Sequence, residues 1–131
     1  MDLDLTPEQE LIRDTVRTFA RERVAPVAEE LDRESRFPVE LVREMAELGL
    51  MGIPIPEEQG GAGADTLSYA IAIEELTRID SSVAITVAAH TSLGTMPIYL
   101  FGSDEQKERW LPDLASGRRL AAFGLTEPNH G

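Results

Sequence analysis

The sequence predicts a mainly α-helical domain that ends in one incipient β-strand. Three observations carry this. Apolar residues recur at helical spacing through most of the chain, two capping boxes mark helix starts at Thr6 and Ser103, and the helical pattern stops after Arg119. The 131 residues, 42% of them hydrophobic and 27% charged, suffice for one domain with a substantial core.

Thr6, Pro7 and Gln9 open the first helix. Thr6 can cap, Pro7 suits the first helical position and Gln9 completes the box. Ile12, Val16, Phe19, Val24, Val27 and Leu31 follow at helical spacing, with Pro26 expected to kink or split the run near Val24. A second helix opens at Pro38, carries Leu41, Val42, Met45 and Leu48 inward and ends at a left-handed Gly49. Residues 52–64 hold four glycines and two prolines and read as a long loop. Asp65 caps a third helix with Leu67, Ala70, Ile71, Ile73, Leu76 and Ile79 on its apolar side. Asp80 starts a fourth, kinked or ended near Gly94 and Pro97. Ser103 and Gln106 open a fifth, which carries Trp110 and Leu111 and is expected to break at Pro112. Residues 120–125 are uncharged and precede a turn at 126–131, the pattern of a strand whose neighbours lie elsewhere.

Charge excludes several partners. With 24 acidic against 12 basic residues the net charge is −12, which disfavours nucleic acid and anionic membranes. There is no cysteine, so disulfides and thiolate chemistry are absent, and His90 and His130 show no metal-ligand spacing. The acidic opening lacks a secretory or transit pattern, so a cytoplasmic location is expected. Residues 81–103 carry no charge, yet Ser82, Thr86, His90, Thr91, Ser92, Thr95 and Pro97 interrupt the apolar run. The segment reads as a helix buried on most sides rather than a membrane span.

Few residues suggest chemistry. The loop Gly60, Gly61, Gly63 precedes a helix, as phosphate cradles do, but it matches neither GxGxxG nor GK[ST], and a packed structural loop is favoured. The pairs Glu29 and Glu30, and Glu74 and Glu75, read as solvated surface, because adjacent helical residues do not face each other; Glu57 and Glu58, in the loop, are less clear. Thr86, Ala89, His90 and Leu93 form one helical face of small or moderately polar side chains. Such a face either admits a neighbouring helix or leaves room for a ligand, and spacing alone favours close packing. No nucleophile, base and orienting group assemble, so no catalytic residue is assigned.

Four segments, in order, resemble the N-terminal region of the acyl-CoA dehydrogenase family of flavoenzymes. They are Leu5-Thr6-Pro7-Glu8-Gln9 with Ile12-Arg13-Asp14; Pro56-Glu57-Glu58-Gln59-Gly60-Gly61; Ser92-Leu93-Gly94-Thr95-Met96-Pro97 with Gly102-Ser103-Asp104-Glu105-Gln106; and Thr126-Glu127-Pro128-Asn129-His130-Gly131, the start of the flavin signature T-E-P-x-x-G-S-D. The resemblance implies the N-terminal helical domain of that fold over residues 1–118 and the beginning of its middle β-domain over 119–131, cut within the signature. It implies a parent enzyme that removes the α-proton of an acyl-CoA and passes the β-hydrogen to FAD. The product is a trans-2-enoyl-CoA, with an electron-transfer flavoprotein as oxidant and a homo-oligomeric assembly. Phe123, Leu125, Thr126 and Gly131 then match flavin contacts, and Thr86, Ala89, His90 and Leu93 the face lining the acyl pocket. His90 has two readings, a neutral core histidine or a contact for a polar acyl tail. No residue matches the family's catalytic glutamate, so this chain alone is expected to be inactive. The alternative, from another class, is a stand-alone helical interaction module derived from such a domain.

Overall fold

A computed structural model describes residues 4–130. α1 (Pro7–Phe19) begins at Thr6, whose side chain accepts from the Gln9 amide while the Gln9 side chain accepts from the Thr6 amide. The helix passes through a π-turn at Ala20–Val24 into α2 (Ala25–Glu34), which starts around Pro26. Proline has no amide to donate, and the wider π-turn accommodates that loss without ending the helix. α3 (Val39–Glu47) follows, with Gly49 at φ 76° turning the chain out of it. Two short 3₁₀ turns, Leu50–Gly52 and Glu57–Gln59, interrupt the glycine-rich loop. Backbone bonds from Ala62 to Gly52, Gly63 to Ile55 and Ala64 to Ile53 fold that loop on itself.

α4 (Thr66–Thr77) is capped by Asp65, and α5 (Ser81–Ala88) by Asp80. A second π-turn, Ala89–Thr95, joins α5 directly to α6 (Met96–Phe101). Ser81–Phe101 is thus one continuous 21-residue helix, long and apolar enough by composition to cross a membrane. The expectation that it lacks such continuity is corrected here. α4 packs on it from one side, and the π-turn meets α7 (Asp104–Ala115). Buried on most sides it is not. Ile85, Leu93, Leu100 and Phe101 are exposed.

The core gathers Val16, Phe19 and Val24 with Leu41, Val42, Met45, Met51, Leu76, Val83 and Val87. α1 lies against α4 and α4 against α5, while α7 covers the 3₁₀ turns. Several expected positions differ. Leu48 and Leu67 face outward, and Ser68, Ala72 and Glu75 point inward instead. Glu75 is therefore not solvated surface. It is buried because Arg17 meets it, Nε to Oε2 at 3.0 Å and a terminal nitrogen to Oε1 at 2.8 Å.

α7 runs through Pro112 rather than breaking there. The bond that proline removes would have gone to the carbonyl of Glu108, an exposed residue whose oxygen water can satisfy. Beyond α7 the expected strand does not form. Residues 120–126 pair with no strand, and among the described residues the bridge in this region joins Glu127 to His130. A lone strand has no ladder to satisfy its backbone, so the segment stays a connector.

Candidate functional site: the central helix and the connector

The sequence placed Thr86, Ala89, His90 and Leu93 on one face. The structure divides them: Val83, Val87, His90 and Gly94 form the buried stripe at i, i+4, i+7 and i+11, and Thr86, Ala89 and Leu93 lie beside it. Thr86 and Ala89 are half-buried and Leu93 is exposed, all on the open side. His90 turns inward and is 1% exposed. Of its two readings, the core histidine is the one this burial supports.

Both ring nitrogens of His90 are engaged. Nε2 lies 3.0 Å from the Leu114 carbonyl, and Nδ1 accepts the Ala121 amide at 3.0 Å. A carbonyl only accepts and an amide only donates, so the ring is the neutral Nε2–H tautomer. Burial pushes its pKa below the ordinary histidine value, against the opposing pull of the Leu114 and Met51 carbonyls. Around it, Thr95 Oγ1 donates to the His90 carbonyl at 3.0 Å, and Thr91 and Thr95 are fully buried.

The connector departs from that point. Phe123 and Leu125 are 58% and 74% exposed, and Thr126 is exposed beside them. Among the described residues no hydrogen bond engages the backbone of 122–126. A free hydroxyl, free backbone donors and acceptors, and two apolar side chains suit one edge of a planar, partly polar heterocycle. They do not enclose a dinucleotide. Gly131, the fourth expected contact, lies outside the described residues.

A groove lies elsewhere. About 620 Å³ lies open between α1 and α3, lined by Asp14, Phe19, Glu22, Arg23, Glu44 and Leu48 among others. A second depression of about 550 Å³, with Ile73, Thr77, Ile85 and Ala88, lies between α4 and α5. Neither includes Ala89 or Leu93. A ligand on that face therefore needs a second wall, which the exposed apolar side chains Ile85, Leu93, Leu100, Phe123 and Leu125 are suited to contact.

The domain is a helical layer with apolar side chains exposed at Ile85, Leu93, Leu100 and Phe101. The chain belongs to the acyl-CoA dehydrogenase family: residues 6–118 match the model described as "Acyl-CoA dehydrogenase, N-terminal domain". It is 50% identical over 131 residues to a probable acyl-CoA dehydrogenase of Bacillus subtilis, covering all of this chain and 34% of that protein. Identity is again 50% over 131 residues to a short-chain specific acyl-CoA dehydrogenase of Clostridium acetobutylicum, covering all of this chain and 35% of that protein. Butyryl-CoA dehydrogenase from Megasphaera elsdenii superposes with a TM-score of 0.94 at 42% identity, covering 100% of this chain and 35% of that one. An acyl-CoA dehydrogenase of Bacillus anthracis, solved in complex with FAD, gives a TM-score of 0.89 at 43% identity, covering 98% of this chain and 22% of that one. The chain thus spans about a third of the length of the curated relatives it matches.

Proposed function

We propose that this chain is the N-terminal part of a flavin-dependent acyl-CoA dehydrogenase that oxidises an acyl-CoA thioester to the trans-2-enoyl-CoA. In that reading residues 1–118 are the helical domain and 119–131 enter the middle β-domain. The observation that carries it is the pairing of two open surfaces: the Thr86, Ala89 and Leu93 side of the central helix, and the unbonded connector at Phe123, Leu125 and Thr126. FAD supplies the hydride acceptor when bound. This chain's own residues bind and orient. Thr126 offers a hydroxyl and backbone to the polar edge of the flavin, and Phe123 and Leu125 keep water from its ring. Ala89 leaves room along an acyl chain. The proton-abstracting base is assigned to structure outside this chain, so the chain alone is inactive and binds FAD weakly or not at all.

An electron-transfer flavoprotein as oxidant, a homo-oligomeric assembly and a cytoplasmic location belong to the same proposal. The test is expression of the complete reading frame that contains this chain, with FAD counted per polypeptide. Stoichiometric flavin supports the reading. A flavin-free, folded product that instead co-purifies with one protein partner overturns it in favour of a helical interaction module.

A further inference from the structure

We propose that His90 is a positioning residue: as the neutral Nε2–H tautomer it latches the connector to the central helix and so sets where the flavin-facing segment 123–126 leaves the domain. Three observations on the same few residues support this. First, His90 joins three elements. It sits in the central helix, donates to Leu114 in the last turn of α7 and accepts from Ala121 in the connector. Second, Ala121 is the last connector residue with a bonded amide; from 122 to 126 the backbone is unbonded among the described residues. The latch is therefore the final fixed point before the segment assigned to the flavin. Third, Gly94 makes the approach possible. A Cβ there would overlap the Ala121 Cβ and come within 3.1 Å of the Ala121 Cα, so only glycine lets the connector lie this close to the helix.

Helical spacing supplies the geometry. His90 and Gly94 lie together on the buried side as i, i+4 neighbours, in line with Val83 and Val87, and Thr95 Oγ1 closes the turn on the His90 carbonyl. The ring then does two separable jobs. The Nε2–H end fixes α7, and the Nδ1 end fixes the connector. A buried histidine that merely filled space would need neither.

The flavin half of this inference rests on the proposed function; the latch itself does not. The test uses the ¹⁵N-labelled full chain, His90→Gln and His90→Asn. Glutamine reaches to the Nε2 position and keeps a donor for Leu114, whereas asparagine is short and keeps an acceptor near Nδ1 for Ala121. Wild-type His90 is expected to give the ¹⁵N shifts of the neutral Nε2–H form, with slowed exchange of the Ala121 amide. Exchange at Ala121 should rise about tenfold in His90→Gln, the scale of one lost hydrogen bond, and stay near the wild-type rate in His90→Asn. An Nδ1–H or charged ring, or Ala121 exchange as fast as in the unbonded residues 122–126, overturns the latch. So does equal Ala121 exchange in the two variants. Should both variants unfold, the wild-type tautomer and Ala121 protection decide alone. In the complete flavoprotein, FAD affinity should fall more in His90→Gln than in His90→Asn, and an equal fall overturns the positioning role. The amide readout needs no flavin, so failure of the dehydrogenase reading is seen separately as absence of FAD from the wild type.

Discussion

Arg17 and Glu75 face each other across the first and fourth helices through two parallel hydrogen bonds, Nε to Oε2 at 3.0 Å and a terminal nitrogen to Oε1 at 2.8 Å. The fork geometry of guanidinium matches a carboxylate, and here it permits a glutamate to be buried on the inner side of α4. Arg78 lies 3.9 Å from the same carboxylate. The pair fixes how α1 lies on α4, and α4 carries the central helix.

That geometry predicts a pH dependence. The hydrogen bonds from Arg17 hold the Glu75 carboxyl below the usual glutamate range, outweighing the upward push of burial. A carboxyl with a depressed folded-state pKa contributes stability that is present above its unfolded value of 4.5 and is lost as pH falls through the folded value. Arg17→Gln should therefore lower Tm at pH 7, with a smaller difference from wild type near pH 3. Thermal unfolding across that range checks it, and a difference that is constant with pH would mean Arg17 acts only by packing.

Gly61 tests the folded loop. A Cβ at this position would overlap the Ile55 carbonyl, which is backbone and cannot rotate away. Gly61→Ala should cost about 1–3 kcal/mol, the usual scale for forcing one extra carbon into packed structure. Denaturant unfolding measures this, and an unchanged midpoint would show that the loop relaxes freely.

Much of the fold was legible because it is local. Thr6 with Gln9 and Ser103 with Gln106 form the expected capping boxes, and Asp65 and Asp80 cap as expected. A cap needs only the residues within one turn. Two kinds of feature were not legible. The burial of Glu75 depends on Arg17, 58 residues away, and nothing in the local pattern marks that pairing. The partners of the buried His90 ring, Leu114 and Ala121, are 24 and 31 residues away, and nothing in the local pattern marks them. Grouping His90 with Thr86 and Leu93 missed that it also falls in line with Val83 and Val87, which are buried.

The exposed apolar side chains predict association. Ile85, Leu93, Leu100 and Phe101 on the central helix, with Phe123 and Leu125 beyond it, leave a large apolar surface open. A charge of −12 opposes unlimited aggregation, so a discrete oligomer is expected. Sedimentation of the chain should show a species larger than the monomer at high concentration; a compact monomer throughout would contradict this.

Ala89 predicts substrate choice in the complete enzyme. The residue is half-buried on the open side of the helix, and a larger side chain there would shorten the space along it. Each methylene placed in dry apolar space is worth about 0.8 kcal/mol. Ala89→Phe should therefore reduce kcat/KM several-fold more for long acyl chains than for short ones. An equal loss at every length would assign Ala89 to packing alone.

The most direct test of the dehydrogenase reading is the flavin absorbance of the complete protein, recorded without oxygen as an acyl-CoA series from butyryl-CoA upward is added. Bleaching of the oxidised flavin band by at least one acyl-CoA, with the matching enoyl-CoA recovered, is the predicted result. A flavin-loaded protein whose spectrum no saturated acyl-CoA changes would contradict it.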